Sequence, residues 1–494
     1  MTAGTPGADG WEAVIGIEVH VQLRTSTKMF CGCLAEYGAP PNTRVCPVCL
    51  GLPGALPVPN EQAVRLGVRA ALALGCSVHA TSRFDRKNYF YPDLPKGYQI
   101  TQFDWPLATS GSVRIRTGEE ERVVGVRRLH LEEDAGKSQH DRFDGCTAVD
   151  LNRAGVPLAE IVTEPDLRSP AEARAYLTRL KQLLEHFAAV SDCNMEEGSL
   201  RADANLSVRR VGSTGLGTKT EVKNLNSFAH VEKALSFEFA RQVAVVEAGD
   251  DVRHETRLFD PVAGETRPMR GKEEATDYRY FPEPDLPLLA IDEAVIEEER
   301  ESLPELPDQL EARFQSQYGF SEYDARLLST SPARASYFES VAERTGAKLA
   351  KSAANMIMGD LAAELNRRGV NSAEEQLIPP EALARIVTMR SEGVLSSDTA
   401  SEALRLMFGE EAGQDPDDVI ARHGLAQVQD DTQLSAWISE VVEAHPDETA
   451  RYRGGEEKLI GFFMGAVMRA SGGRADPRRT RDALRGHLAA ETET

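Results

Sequence analysis

The sequence predicts an α+β fold: an N-terminal domain built on antiparallel sheet, with a small cysteine-rich insertion, followed by an all-α C-terminal region. Three observations support this prediction. Apolar and polar residues alternate in several segments of the first half, four of the seven cysteines cluster near the start, and strand-like alternation ends after about residue 303. A chain of 494 residues is too long for one core, so several domains are expected.

The alternating segments identify the strands of the predicted sheet. Residues 14–23, VIGIEVHVQL, place Glu18 and His20 on one side and apolar residues on the other. The same alternation recurs in LRADANLSV and in TKTEVKN. In VVGVRRLHLEED the phase changes near Arg127, which predicts a β-bulge at that point. We therefore expect an antiparallel sheet with one polar face.

Helical signals are interleaved with these strands and dominate the second half of the chain. Ser169 as N-cap, Pro170 in the first turn and Glu172 predict a helix that extends to about Val190, and a second helix is expected after Ser227. The Pro-Pro pair in LIPPEA and the loop GEEAGQDPDD interrupt the later helical pattern. The resulting division of the chain is a flexible tail 1–10, a main domain 11–295, a helical domain 296–404 and a C-terminal tail domain 405–494.

Composition limits the classes of function that the chain can have. Lys and Arg total 56 against 78 Asp and Glu, so the net charge is −22 and polyanions are repelled at long range. Any contact with nucleic acid must therefore be local. No apolar run is long enough to span a bilayer, and the start MTAGTPGADG lacks the features of a secretory signal. We expect a cytoplasmic protein with no membrane partner.

Four cysteines have the spacing of a metal site. Cys31 and Cys33 form one close pair, and Cys46 and Cys49 form another. Two such knuckles supply four soft ligands, as a tetrahedral structural zinc site requires, so the insertion is predicted to be zinc-ribbon-like. Because thiolates would fill every position, the zinc would have no place for a reacting water. The alternative is four buried thiols without metal.

A second group of residues has the chemistry of a divalent-cation site. Glu18 and His20 lie two residues apart on one strand face, and LHLEED supplies Glu132 and Glu133. Carboxylates bind hard cations, so magnesium is expected, with His20 and Glu133 as ligands. The alternative is a solvated sheet face.

The triplet GKS at residues 136–138 does not complete a phosphate-binding loop, because the Walker pattern requires glycine where Leu131 stands. A nucleotide in this domain would instead bind through carboxylates bridged by metal. Arg201 and Lys223 are the candidate counter-charges.

Seven segments carry a family resemblance. In this order, GIEVHVQL, CPVCLGLPG, YPDLPKGYQITQ, LHLEEDAGKS, DLNRAGVPLAEIV, EGSLRADAN and EVKNLNSF closely resemble the B subunit of the glutamine-dependent aspartyl/glutamyl-tRNA amidotransferase. The resemblance continues through YGFSEYDA to LIGFFMGAVMRASGG and so covers nearly the whole chain. One departure is Ala154, where many relatives are expected to have serine or threonine, so no essential hydroxyl is assigned there.

The resemblance implies a reaction and a complex. That family works as a heterotrimer of A, B and C subunits that converts Glu-tRNA(Gln) to Gln-tRNA(Gln), and in many bacteria Asp-tRNA(Asn) to Asn-tRNA(Asn). The cradle domain of the B subunit uses ATP and magnesium to phosphorylate the side-chain carboxylate, and ammonia from the glutaminase of the A subunit displaces the phosphate. This sequence has no glutaminase motif of its own, which agrees with that division of labour.

The resemblance also implies site residues. The main domain, residues 11–295, corresponds to the cradle. Its catalytic residues are His20, Glu132 and Glu133, supported by Glu18 and Glu160. The substrate- and nucleotide-binding residues are Tyr89, Tyr91, Lys96, Tyr98, Asn152, Arg153, Arg201, Asp203, Asn205 and Lys223. One or more of the tyrosines could stack on the terminal adenosine of the tRNA, with ordinary packing as the alternative.

The C-terminal tail domain is implied to contact the body of the tRNA. Its last segment holds six arginines and two aspartates between Arg469 and His487, which is the local basic patch that an acidic chain requires. The residues expected to contact tRNA are Arg474, Arg478, Arg479, Arg481 and Arg485. The alternative is a solvated helix face.

Two other functions remain open at this point. A non-catalytic zinc-ribbon RNA-binding protein would explain the cysteines and the tail but not the carboxylate-rich strands. A stand-alone small-molecule kinase would explain the carboxylates but not the tail. Within the resemblance, the tRNA that is served depends on which mischarging aminoacyl-tRNA synthetase the cell contains, and that synthetase is a further candidate partner.

Overall fold

The structure is a computed structural model that describes residues 10–269, 277–369, 378–427 and 430–489. The chain divides into two compact units, Met1–Leu306 and Pro307–Thr494. Apart from Gly10, the predicted flexible tail lies outside the described residues. Among the helices in the described ranges, none combines the length and apolar character that crossing a bilayer requires.

The N-terminal unit is a mixed α/β structure. Its strands in the described ranges are β1 (Trp11–Gln22), β2 (Ser77–Val78), β3 (Thr81–Ser82), β4 (Asp85–Asn88), β5 (Tyr98–Thr101), β6 (Ala108–Thr117), β7 (Glu120–Glu133), β8 (Lys137–Phe143), β9 (Cys146–Asp150), β10 (Pro157–Thr163), β11 (Leu200–Arg210), β12 (Thr220–Lys223), β13 (Thr256–Asp260), β14 (Glu265–Pro268), β15 (Phe281–Pro282) and β16 (Leu289–Ala290). Its helices are α1 (Glu61–Ala73), α2 (Pro170–Gln182), α3 (Phe228–Glu247) and α4 (Glu293–Ser302), and a π-helical turn, Leu183–Phe187, continues α2.

One large sheet organises this unit. Nine strands pair in the order β14-β13-β12-β11-β1-β10-β7-β6-β2, and a separate three-stranded sheet has the order β15-β4-β5. The large sheet is antiparallel, as predicted, except that β12 and β13 are parallel. Parallel neighbours need a crossover connection, and α3 is that connection. The sheet is therefore mixed.

The two faces of the large sheet have different roles. Apolar residues of β1 such as Ile15, Ile17 and Val19 are fully or almost fully buried in the main hydrophobic core. Helix α1 packs on β7, α2 on β6 and α3 on β11, so the helices cover this face. The predicted bulge is confirmed, because Val162 pairs with Arg128 and Thr163 pairs with Val126, which leaves Arg127 without a partner in β10. The opposite face carries the polar residues.

The predicted helix starts agree with the structure. Ser169 caps α2 by accepting a hydrogen bond from the backbone N–H of Glu172, and Ser227 caps α3 in the same way. Helix α2 and the π-helical turn that continues it end at Phe187, close to the predicted end at about Val190. Both helices begin where a short polar side chain can accept a bond from the first turn.

The described residues of the C-terminal unit form helices and no strands. The helices are α5 (Pro307–Tyr318), α6 (Glu322–Leu328), α7 (Pro332–Thr345), α8 (Ala350–Met356), α9 (Ala362–Arg367), α10 (Pro380–Ser391), α11 (Ser397–Phe408), α12 (Pro416–Arg422), α13 (Asp431–Ala444), α14 (Pro446–Arg453), α15 (Ile460–Ala470) and α16 (Pro477–Ala489). The expected loop at 409–418 is shorter than predicted. Asp415 caps a new helix and Pro416 opens it, a pairing that favours helix initiation.

Candidate functional site

The polar face of the large sheet forms the floor of a cavity of about 490 Å³. The strand register places its central residues side by side. His20 of β1 pairs with Glu160 of β10 and with Arg201 of β11, and Glu160 pairs in turn with His130 of β7. Four polar side chains from four neighbouring strands therefore form one row across the sheet.

The acids and imidazoles of this cavity are close enough to interact directly. The Nε2 atom of His20 lies 3.4 Å from Glu160, 3.6 Å from Glu132 and 3.7 Å from Glu18, measured to the nearest carboxylate oxygen. The Nε2 atom of His130 lies 3.4 Å from Glu160 and 3.8 Å from Glu132. The candidate ligand atoms of Glu18, His20 and Glu160 all lie within 4.8 Å of one another. The same is true of those of His130, Glu132 and Glu160.

The protonation of this cluster follows from its contacts. Burial by itself lowers the pKa of His20, but the adjoining carboxylates of Glu160 and Glu132 outweigh it and raise the pKa to about 9. Burial raises the pKa of Glu160, yet the two imidazoles hold it well below its usual range. The pKa of Glu18, in contrast, is raised by burial and by the charge of Glu160. The centre of the cluster therefore favours a positive charge among carboxylates.

Basic residues surround the acidic cluster. The Nζ of Lys223 donates to Asp203 at 2.8 Å, and Arg201 donates to Asp134 at 2.9 Å. Lys87, from β4, lines the same cavity. Burial lowers the pKa of Lys87, but the nearby charges of Glu132 and Glu160, together with two tyrosines, raise it overall. These cations give the cavity the means to neutralise an anionic ligand.

An aromatic wall closes one side of the cavity. The rings of Phe103 and Tyr280 stack with centroids 4.0 Å apart and planes 6° from parallel. Tyr89 meets Tyr278 edge to face at 6.1 Å. Burial raises the pKa of Tyr280 to about 12, so its hydroxyl keeps its proton at neutral pH. The wall offers flat apolar faces beside a strongly polar floor.

The structure brings many of the predicted residues to this cavity, but not all of them. Those that line it are Glu18, His20, Tyr89, Glu132, Arg153, Glu160, Arg201, Asp203 and Lys223. Lys96, Tyr98 and Glu133 line a separate pocket of about 100 Å³ beside the cysteines. Asn152 and Asn205 line two further pockets, and Tyr91 is mostly exposed.

Glu133 lies apart from His20 because successive strand residues face opposite sides of a sheet. Its carboxylate pairs with Lys96 and accepts a hydrogen bond from the backbone N–H of Ile100 at 2.9 Å. Glu133 is not among the carboxylates within 4 Å of the His20 imidazole, whereas Glu132 is. The structure therefore does not bring together the His20–Glu133 pair that was expected to bind magnesium.

Some residues that line the cavity were not predicted from the sequence. His130 has the same strand parity as Glu132, so the alternation in LHLEED could have identified it. Lys87, Tyr278 and Tyr280 carried no comparable signal. They reach the cavity only because the short strands β4 and β15 pair across a long stretch of chain.

The four clustered cysteines have the geometry of a metal site. The sulfur atoms of Cys46 and Cys49 are 3.9 Å apart, and Cys31 and Cys33 complete a group within 4.8 Å. Ligands about 2.3 Å from a tetrahedral zinc ion lie about 3.8 Å apart, so the donor set fits zinc. The hydrogen bond from Cys31 lowers the pKa of the Cys49 thiol to about 5, and Lys28 contributes with its charge.

The arginines of the tail domain fall into two groups. Arg478, Arg481 and Arg485 are exposed on α16, while Thr480 and Leu484 between them are buried. The other two have partners: Arg479 pairs with Asp431, and the guanidinium of Arg474 lies 5.7 Å from the centre of the Trp437 ring.

Comparison with known proteins identifies the family of this chain. The family described as "GatB/GatE catalytic domain" matches residues 13–297, and the family described as "GatB domain" matches residues 336–488. A protein of Halorhodospira halophila is 49% identical over 97% of this chain and 99% of its own length. A protein of Moorella thermoacetica is 50% identical over 94% of this chain and 97% of its own length.

Both relatives are named as the B subunit of an aspartyl/glutamyl-tRNA(Asn/Gln) amidotransferase. The similarity extends through both structural units. With the catalytic-domain match covering the strands that build the cavity, the chain belongs to the GatB family.

Proposed function

We propose that this protein is the B subunit of a tRNA-dependent amidotransferase that forms Gln-tRNA(Gln), Asn-tRNA(Asn) or both. The names of the similar proteins support the reaction class, a ligase that forms a carbon–nitrogen bond with glutamine as amide donor. The observation that carries the proposal is the cluster of Glu18, His20, Glu132 and Glu160 on the open sheet face, surrounded by basic side chains.

The proposed reaction has two chemical steps. An oxygen of the substrate's side-chain carboxylate attacks the γ-phosphorus of ATP, and ADP leaves. Ammonia then attacks the carbonyl carbon, inorganic phosphate leaves, and the nitrogen loses a proton to give the amide. The first step is needed because a carboxylate resists attack by ammonia and an acyl phosphate does not.

The residues present fit a magnesium ion. Glu18, His20 and Glu160 would hold it, with Glu132 nearby, and carboxylate oxygens are its preferred protein ligands. The adjoining carboxylates now stabilise a proton on His20, and a magnesium ion would take the place of that proton, because a ligating imidazole must be neutral. Among the described residues the buried Nδ1 of His130 has no hydrogen-bond partner, so this nitrogen of the cluster is available for a further polar contact. A bound magnesium ion would offset charge on the transferred phosphoryl group.

The other residues of the cavity would bind and orient the substrates. Lys87, Arg201 and Lys223 are placed to neutralise phosphate oxygens, and each is already held by acidic neighbours. The aromatic wall, Tyr89 and Tyr280 among its members, would exclude water from the reacting acyl group.

The proposal includes partners that supply what this chain lacks. An A subunit would provide ammonia by hydrolysing glutamine, a C subunit would complete a heterotrimer, and the mischarging synthetase would deliver the tRNA in the cytoplasm. Zinc held by the four cysteines would be structural. We keep the division into a cradle domain 11–295, a helical domain 296–404 and a tRNA-binding tail domain 405–494 as part of the proposal.

His20→Ala tests the proposal in the reconstituted three-subunit complex. With each mischarged tRNA, we expect ATP hydrolysis and amide formation to fall by about a hundredfold or more, because the group at the centre of the cluster is lost. Glutamine hydrolysis by the A subunit should remain measurable. His140→Ala is the matched control, since His140 is exposed and its ring forms a hydrogen bond with Thr147. Amidation by His20→Ala at the wild-type rate would contradict the proposal.

A further inference from the structure

Lys28 is a fully buried lysine beside the four clustered cysteines. Its ammonium donates to the backbone carbonyl oxygens of Arg44 at 2.7 Å and Leu151 at 3.5 Å, and to the sulfur atom of Cys49 at 3.7 Å. Within the described ranges no carboxylate lies within 4 Å of this ammonium. Lysine is rarely buried to this extent unless its charge is compensated. The sulfur atom of Cys49 is the contacting group that can carry the compensating negative charge.

The charge of a zinc-loaded centre gives this buried cation a role. Four thiolates around one Zn²⁺ ion leave a formal charge of about −2. Cys49 is buried and the other three cysteines are half-buried, so such a charge is costly unless a cation lies nearby. The ammonium of Lys28 would reduce the formal charge to about −1. The backbone N–H of Lys28 also donates to the carbonyl oxygen of Cys33 at 2.9 Å, which fixes the lysine to the first cysteine pair.

The loop of residues 151–156, which joins β9 to β10, packs directly on this lysine. Gly155 in the loop has a φ of +88°, and a Cβ atom there would lie 3.4 Å from the Cβ of Cys49 and 3.4 Å from the Cδ of Lys28. The backbone N–H of Met29 donates to the carbonyl oxygen of Gly155 at 2.8 Å. The loop is therefore held against both the cysteine cluster and Lys28.

The same loop carries a residue that lines the main cavity. The guanidinium of Arg153 lies 3.6 Å from the carboxylate of Asp134, and both residues line the cavity. The backbone N–H of Gly155 donates to the carbonyl oxygen of Asp134, and the N–H of Asp134 donates to that of Val156, both at 2.8 Å. A continuous chain of contacts therefore runs from Lys28 through Gly155 to Asp134.

From these contacts we propose that Lys28 is a positioning residue, which compensates the charge of the zinc centre and couples zinc binding to the loop that carries Arg153. The inference rests on the proposed function, which places structural zinc at the four cysteines. The zinc centre then acts on the geometry of the cavity as well as on local stability. A lysine that only packs against carbonyl oxygens would leave zinc binding independent of its charge.

Lys28→Met tests the assignment, because it keeps an unbranched apolar side chain and removes the charge. In the three-subunit complex, zinc should be transferred to a chromogenic chelator about tenfold faster or more, since loss of a group that contacts a metal ligand weakens metal binding by about that factor. Lys181→Met is the matched control. Lys181 also donates to a backbone carbonyl oxygen, that of Cys193 at 2.9 Å, but Cys193 is outside the four-cysteine cluster. Its zinc should be released at the wild-type rate.

A second variant, Cys33→His, separates the effect of charge from that of packing. A site of three cysteines and one histidine also binds zinc, and it carries one negative charge fewer. Lys28→Met should therefore accelerate zinc release by a smaller factor in the Cys33→His complex than in the wild-type complex. Equal acceleration in both backgrounds would overturn charge compensation, because packing does not depend on the charge of the ligands.

Hydrogen exchange measured by mass spectrometry tests the link to the cavity. Removing zinc from the wild-type complex with a chelator should speed exchange at the amides of Asp134 and Gly155 by about tenfold or more, because the loop loses its support. The amides of α2 should exchange as before. Exchange in residues 151–156 that does not depend on zinc would overturn the coupling.

Failure of this inference is distinguishable from failure of the proposed reaction. A wild-type complex that contains no zinc, or zinc release from Lys28→Met at the wild-type rate, would overturn the role of Lys28. If the wild-type complex forms amide without ATP, the proposed reaction fails, and the zinc measurements still decide the role of Lys28.

Discussion

Buried charges in the N-terminal unit have specific partners, and Glu238 is a clear case away from the cavity. This fully buried carboxylate of α3 accepts hydrogen bonds from Arg241 at 2.6 and 2.9 Å, from Gln242 at 2.9 Å and from Thr266 at 2.8 Å. Burial raises its pKa, but the bonds from Arg241 and Gln242 outweigh it, so the pKa lies below the usual value. Glu238 therefore links α3 to β14 through its charged form.

Glu238→Gln should destabilise the protein near pH 7 by about 3 kcal/mol, because buried donors lose a charged acceptor. A carboxylate with a depressed pKa contributes stability above its unfolded pKa, about 4.3, and loses it as the pH falls through the folded value. The difference between wild type and variant in urea unfolding should therefore be largest near pH 7 and shrink below about pH 4.3. Glu232→Gln, which removes a surface pair with Arg174, should cost less than about 1 kcal/mol. Equal effects of the two substitutions would refute this account.

Residue-level prediction succeeded where strand parity decided the outcome. Alternation predicted that Glu18 and His20 lie on one face of the sheet. In the structure the Nε2 atom of His20 is 3.7 Å from a carboxylate oxygen of Glu18. The same rule separates Glu132 from Glu133, and applying it would have selected Glu132 as the neighbour of His20. Lys87 could not be found in this way, because its position depends on pairing between distant short strands.

At the scale of elements, local signals located strands and helix starts, while pairing came from tertiary structure. The phase change at Arg127 located the bulge, and Ser169 and Ser227 located two helix starts. The position of β1 between β10 and β11 had no local signal, because register between distant strands is set by which faces are buried. That pairing builds the row of polar residues across the sheet.

Helix α16 is the element that we propose contacts tRNA. Replacing Arg478, Arg481 and Arg485 together by alanine should weaken tRNA binding by the complex and flatten its salt dependence. Each lost phosphate contact removes up to about one unit of slope in a log–log plot. Arg479→Ala should have a smaller effect, because Arg479 already pairs with Asp431.

The matched control for this experiment removes the same charge elsewhere in the C-terminal unit. Arg385, Arg405 and Arg451 are paired with Asp417, Glu402 and Glu456. Their combined replacement by alanine should leave the salt slope close to that of the wild type. An equal change of slope in both triple variants would mean that overall charge, and not α16, governs tRNA binding.

At the scale of the whole molecule, the distribution of charge is consistent with a protein that handles a polyanion locally. The chain carries a net charge of −22, yet basic side chains surround the acidic cluster and cover one face of α16. Long-range attraction to nucleic acid is weak in such a protein, so contacts of short range must provide affinity. We propose that the cluster promotes transfer of the γ-phosphoryl group from ATP to the substrate's carboxylate, with ADP leaving, before ammonia reacts.

The most direct test follows the oxygen atoms of that carboxylate. Glu-tRNA(Gln) labelled with heavy oxygen in its side-chain carboxylate would be amidated by the three-subunit complex with ATP and glutamine, and the inorganic phosphate analysed by mass spectrometry. We predict one labelled oxygen in each phosphate released, because the oxygen that attacks phosphorus leaves with it when ammonia displaces the phosphate. Unlabelled phosphate formed together with Gln-tRNA(Gln) would contradict phosphorylation of the side-chain carboxylate.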